Sequence, residues 1–175
     1  MSVNNILPID KYVELWYNII IKLIMTKIKN TVKICGHDFS DDHHLVKPGR
    51  SMHDGIDLLK CLASDAYKKF SNIAEDKAAI DCKDSTNYSE RAYYEYASSM
   101  EEHKGSKYIK LSYKSGGRSV HCFIVNSKND AKFKYGDILK SATWKSPARN
   151  FARGNVIDDT VESLKKAITW TGVNY

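Results

Sequence analysis

Tyr108, Lys110 and Phe123 fall on one side of two alternating segments, and Trp144, Lys145, Arg149 and Arg153 follow in a single run further on. Rings set beside cations are how single-strand binders hold nucleic acid: bases stack on the rings and phosphates rest against the cations. The same residue types also suit a covered sheet face, with Phe123 in the core and lysine stems lying along its rim. The second run reads as a short helix. Ser146 is placed as its N-cap, Pro147 takes the first helical position and Gly154 ends it. Four-residue spacing then points Arg149 and Arg153 the same way, with Lys145 beside the positive helix start, a phosphate-binding arrangement. The competing expectation is that both arginines pair with Asp158 and Asp159.

Charge supports the same region. Residues 104–153 hold twelve Lys and Arg against Asp130 and Asp137, a net +10 within a chain of net +6. Such focused charge attracts phosphates or an acidic protein surface and carries no information about fold.

A third cluster lies at Cys35, His37, Asp38, Asp41, Asp42, His43 and His44, which includes every common divalent-metal ligand type. Its spacing matches neither a zinc finger, a His-Glu-x-x-His helix nor a calcium loop. A metal-dependent nuclease or phosphoesterase would centre on His37, Asp41, His43 and His44; the expectation is a solvated loop without a tight metal. His121 resembles half of a two-histidine phosphoesterase, but no other histidine has Ser or Thr two residues on. The nucleotide-binding and nucleophile-elbow motifs are lacking, so neither a catalytic residue nor a cofactor is assigned.

At 175 residues the chain suits one compact domain, with a helical part at 1–103 and a basic β-rich part at 104–175. Four dispersed cysteines without a C-x-x-C pair, and a start lacking a basic-then-apolar leader, fit a reducing cytoplasm. The apolar run at 15–25 is too short to cross a bilayer and reads as a core helix. Three helices are expected, at 10–29, 52–77 and 88–103. The second is capped by Ser51 with Asp54 and buries Ile56, Leu59, Ala63, Tyr67, Phe70 and Ala74; the third is capped by Asn87. Residues 33–50 read as a long loop.

Beyond residue 104 the period changes to two. Gly116-Gly117 marks a two-residue hairpin turn, which sets Tyr113 opposite Val120, Leu111 opposite Cys122 and Ile109 opposite Ile124. A third strand is expected through Ile138 and Leu139. The fold class is therefore α+β, with helices first, then a small antiparallel sheet carrying the short inserted helix.

The segment Gly136-Asp137-Ile138-Leu139-Lys140, continuing through Trp144 to Asn155 and ending at Trp170-Thr171-Gly172, resembles the C-terminal part of small accessory proteins of tailed bacteriophages. The resemblance covers about the last seventy residues and implies action in an infected bacterium. It assigns no catalytic residue. The expected function is nucleic-acid binding through Tyr108, Lys110, Phe123, Trp144, Lys145, Arg149 and Arg153, with DNA or RNA as partner. The alternative is an effector that inhibits an acidic host protein through the same surface.

Overall fold

The computed structural model describes residues 31–34, 37–40 and 43–174. The helix expected at 10–29 lies outside the described residues, as do Cys35, Asp41, Asp42 and the side chain of His37. Two strands, β1 (Thr31–Ile34) and β2 (His37–Ser40), pair antiparallel. The long loop expected from residue 33 is thus partly sheet, and residues 43–50 are irregular.

Helix α1 (Met52–Phe70) starts where the capping signal placed it. The Ser51 hydroxyl oxygen accepts the Asp54 N–H at 3.1 Å and donates to the Asp54 carboxylate at 2.8 Å. Ile56, Leu59 and Ala63 are buried as the spacing requires, together with Leu58 and Leu62. The helix nevertheless stops before the expected residue 77. Asn72 adopts φ 53°, and the buried Lys68 ammonium donates to the Glu75 and Lys77 carbonyls at 2.9 and 3.0 Å, folding the chain back over the helix end. Phe70 is consequently 64% exposed, and Ala74 is exposed too. A 3-10 turn at Ala79–Cys82 leads to α2 (Tyr88–Ser98), where Asn87 accepts the Ser89 N–H at 2.9 Å. The helix expected to 103 ends early because β3 (Glu101–Lys104) pairs with β4 (Tyr108–Lys114), and that ladder outweighs the local helical pattern.

The main sheet is antiparallel in the order β3-β4-β5-β6, with β5 at Arg118–Val125 and β6 at Ile138–Leu139. A further helix, α3 (Val161–Ala167), is capped by Thr160 and runs into a small hairpin of β7 (Ile168–Thr169) and β8 (Gly172–Val173). These last three elements had no counterpart among the expectations. The α+β class holds. Ile109, Leu111, Cys122, Ile124 and Ile138 of the sheet pack with α1, Leu164 and Val173 in one core. Arg50 ties the start of α1 to the C-terminal loop, donating to the carbonyls of Val156, Val46 and Asp159 at 2.8, 3.0 and 2.9 Å.

The central hairpin keeps Leu111 opposite Cys122 and Ile109 opposite Ile124, but Ser112 faces Val120 and Tyr113 faces Ser119. His121 is the extra residue of a bulge in β5. A bulge re-aims the side chains around it. His121 turns to the core side, where its Nε2 lies 2.8 Å from the Thr169 carbonyl, while Val120 moves to the opposite face. The alternation expected to put Val120 beside Cys122 fails at this one residue.

The turn holds three residues, 115–117, between paired Lys114 and Arg118. Gly116 has φ 68°, whereas Gly117 lies outside the positive-φ region and has open space around it. The conformational requirement therefore rests on Gly116 and not on both glycines. Gly116→Val is expected to lower stability by ~1 kcal/mol or more and Gly117→Val by less than ~0.5 kcal/mol in urea denaturation. Equal losses would contradict this turn.

Candidate nucleic-acid interface

The sheet face away from the helices is covered by chain. Phe123 and Val125 pack with Phe133 and Leu139, flanked by Tyr108, Val120 and Ala152. Phe123 is only 3% exposed, which removes it from any base-stacking role. The cover is the irregular chain after β5, and one carboxylate organises it. Asp130 Oδ1 accepts the N–H groups of Lys132 and Phe133 at 2.9 and 3.1 Å, an Asx-type turn that swings Phe133 inward.

The same carboxylate receives Arg149 in a two-pronged pair, Nη1 to Oδ2 and Nη2 to Oδ1, each 2.9 Å. Arg149 also donates to the Tyr108 hydroxyl, and Lys132 Nζ donates to the Arg149 carbonyl at 2.8 Å. The bound guanidinium holds the Asp130 carboxyl far below the usual carboxylate range, and Asp130 in turn raises Arg149. Arg149 is thus a clamp between loop and sheet with its charge compensated. Among the sequence-based expectations Asp130 enters only the charge balance. The signal was present, since an acid in so basic a stretch has many cations competing for it.

The short helix expected after Ser146 does not form. Thr143 Oγ1 accepts the N–H groups of Lys145 and Ser146 at 3.2 and 3.1 Å and lies 2.8 Å from the Ser146 hydroxyl. The Ser146 carbonyl accepts from Ala142 and Thr143, and Pro147 bridges to Ser141. The residues that looked like helix punctuation close a tight loop, because a side chain took the N–H groups first. Arg149 and Arg153 therefore do not share a helix face. Arg153 is 9% exposed, its guanidinium carbon 3.5 Å from the Phe151 ring centroid, in an extended segment hydrogen-bonded along β6. Arg149 pairs with Asp130 in place of Asp158 or Asp159, and those two carboxylates lie near Arg50.

What remains accessible is a smaller set. Trp144 sits on the loop tip, 41% exposed, with Lys110 Nζ 4.1 Å from its ring centroid. Tyr108 is half-buried, its ring edge-on to Phe123 at 6.2 Å. Lys145 and Lys132 are exposed. Lys104 and Arg118 are engaged by Glu102 and Glu101 at 3.1 and 3.2 Å, whereas Lys110, Lys132, Lys134 and Lys145 have no carboxylate at ion-pair distance among the described residues. Of the seven residues expected at the interface, Lys110, Trp144 and Lys145 remain accessible, Arg149 is exposed but paired with Asp130, Tyr108 is half-buried against it, and Phe123 and Arg153 are buried.

At the other end of the chain, the His43 and His44 rings lie 4.2 Å apart and His44 is 3.8 Å from Asp54. Among the described residues no group of three or more His, Cys, Asp or Glu is placed to hold a metal ion. No described helix is long and apolar enough to cross a membrane.

No curated protein and no solved structure matches this chain. A family model matches residues 52–175, which runs from the first residue of α1 to the end of the chain and so takes in the main sheet, its cover and the C-terminal hairpin. The chain belongs to that family, DUF7717, a family of unknown function.

Proposed function

We propose that the chain binds DNA or RNA without strong sequence preference, through the loop-tip Trp144 and the lysines around it. The observation that carries the reading is the Lys110–Trp144 pair, a half-open indole beside an ammonium, set among exposed cations that no carboxylate compensates. Such a ring offers stacking area to any base, and the lysines offer phosphates a site that releases counterions on binding. The resemblance to accessory proteins of tailed bacteriophages supports placing this activity in the cytoplasm of an infected bacterium. No reaction is proposed for the site.

The test is a salt titration of oligonucleotide binding. With Lys110, Lys132 and Lys145 as principal phosphate contacts, the log–log slope is expected at about −2 to −3. Lys132→Ala with Lys145→Ala should reduce that slope by about 1.5. Trp144→Ala should weaken binding by ~1–3 kcal/mol with little change in slope, because stacking releases few ions. Absence of binding to any oligonucleotide at low salt would overturn the reading and leave the basic surface to an acidic host protein.

A further inference from the structure

A cavity of about 470 Å³ opens between α2 and the β4–β5 turn, away from Trp144. Helix spacing builds one wall. Tyr88, Ala92 and Glu95 recur at four and three residues and so share a face of α2, the small Ala92 leaving room between its two larger neighbours. The floor is aromatic: the Tyr67 and Tyr96 rings stack with centroids 4.5 Å apart. The Tyr96 hydroxyl donates to the Trp170 carbonyl, and burial raises its pKa well above the ordinary phenol value, so this ring stays neutral. Glu101 and Lys114 close the opposite side.

Two features of this lining ask for a ligand. Tyr88 is 76% exposed, a large ring held at the mouth of a cavity with little packed on it. Glu95 has no cation at ion-pair distance among the described residues, although its half of the chain adjoins the most basic stretch of the sequence. Glu101, by contrast, is engaged by Arg118 at 3.2 Å. Ring faces and a carboxylate attract the same kind of group, a flat cation: the ring quadrupole holds it face-on, and the carboxylate accepts its N–H groups in pairs. An anion would meet Glu95 and Glu101 and gain only Lys114.

We propose that this cavity is a site for a guanidinium group, held between the exposed Tyr88 ring and the Glu95 carboxylate. Free arginine and an arginine side chain of a peptide share that chemistry. The site is independent of the nucleic-acid surface, and its test does not involve an oligonucleotide.

The experiment is titration of the full chain with arginine amide and, separately, with a short arginine-containing peptide, followed by backbone amide NMR shifts around Tyr88, Glu95 and Lys114. Saturable shifts with both ligands identify the guanidinium as the recognised group; shifts with the peptide alone assign the site to a protein partner's arginine. Glu95→Gln and Tyr88→Ala lie on exposed positions, so the fold is retained, and each should weaken binding by about tenfold. Lys114→Met should tighten it severalfold, since a like charge is removed from the rim. That sign is decisive, because an anionic ligand such as a mononucleotide would instead be weakened by the same change. Failure of both ligands to saturate, or weaker binding in Lys114→Met, would overturn the proposal.

Discussion

Arg50→Met is expected to lower the unfolding free energy by about 3 kcal/mol, because it leaves three backbone carbonyls without their donor. The guanidinium bridges Val46, just ahead of α1, to Val156 and Asp159 beyond the sheet. Arg50 is itself buried, and its pKa is lowered by that burial, partly offset by Asp159, Asp158 and Asp54 nearby. Methionine retains most of the stem's packing, so the loss isolates the hydrogen bonds. Lysine at this position keeps the charge but cannot reach three acceptors in different directions, and should recover less than half of the loss. Urea denaturation measures both variants, and a loss below about 1 kcal/mol for Arg50→Met would show that water replaces the guanidinium at these carbonyls.

Between pH 6.5 and 4, acid should destabilise the protein through His121. His121 is 1% exposed, its Nε2 lies 2.8 Å from the Thr169 carbonyl, and its Nδ1 is buried without a hydrogen-bond partner. The ring is therefore neutral, with its proton on Nε2 donated to that carbonyl. Burial lowers the pKa from 6.5 to about 4, and the Thr169 hydrogen bond offsets only part of the shift. Between those values the unfolded chain takes up a proton that the folded chain refuses. The stability contributed is full above pH 6.5 and is lost as pH falls towards 4, on the order of 2 kcal/mol by pH 5 and 3 kcal/mol at most. His121→Gln keeps a donor for the carbonyl and removes the titration. It is expected to be less stable than the parent at pH 7, with the difference shrinking as pH falls to 5. Parallel stability curves for the two proteins over that interval would refute the assignment.

The sequence by itself determined the α+β class, the caps at Ser51 and Asn87, and the pairings of Leu111 with Cys122 and Ile109 with Ile124. Each of these is local or periodic: a cap needs only its own next turn, and a strand shows its buried face every second residue. It also showed where cations and rings concentrate, since composition needs no geometry.

Tertiary structure decided the rest. The bulge at His121 is one residue long and shifts the pairs only on the turn side of it, so alternation alone could not reveal it. Helix α1 ended at Phe70 because Lys68 found carbonyls seven and nine residues away, and α2 ended at Ser98 because a strand partner became available. At the candidate site the division is sharper. Trp144, Lys110 and Lys145 stayed at the surface, while Arg149 was claimed by Asp130, nineteen residues earlier, and Phe123 by Phe133. An arginine that binds phosphate and one that braces a loop are identical in sequence. Only the position of the nearest carboxylate separates them, and that position is a property of the folded chain.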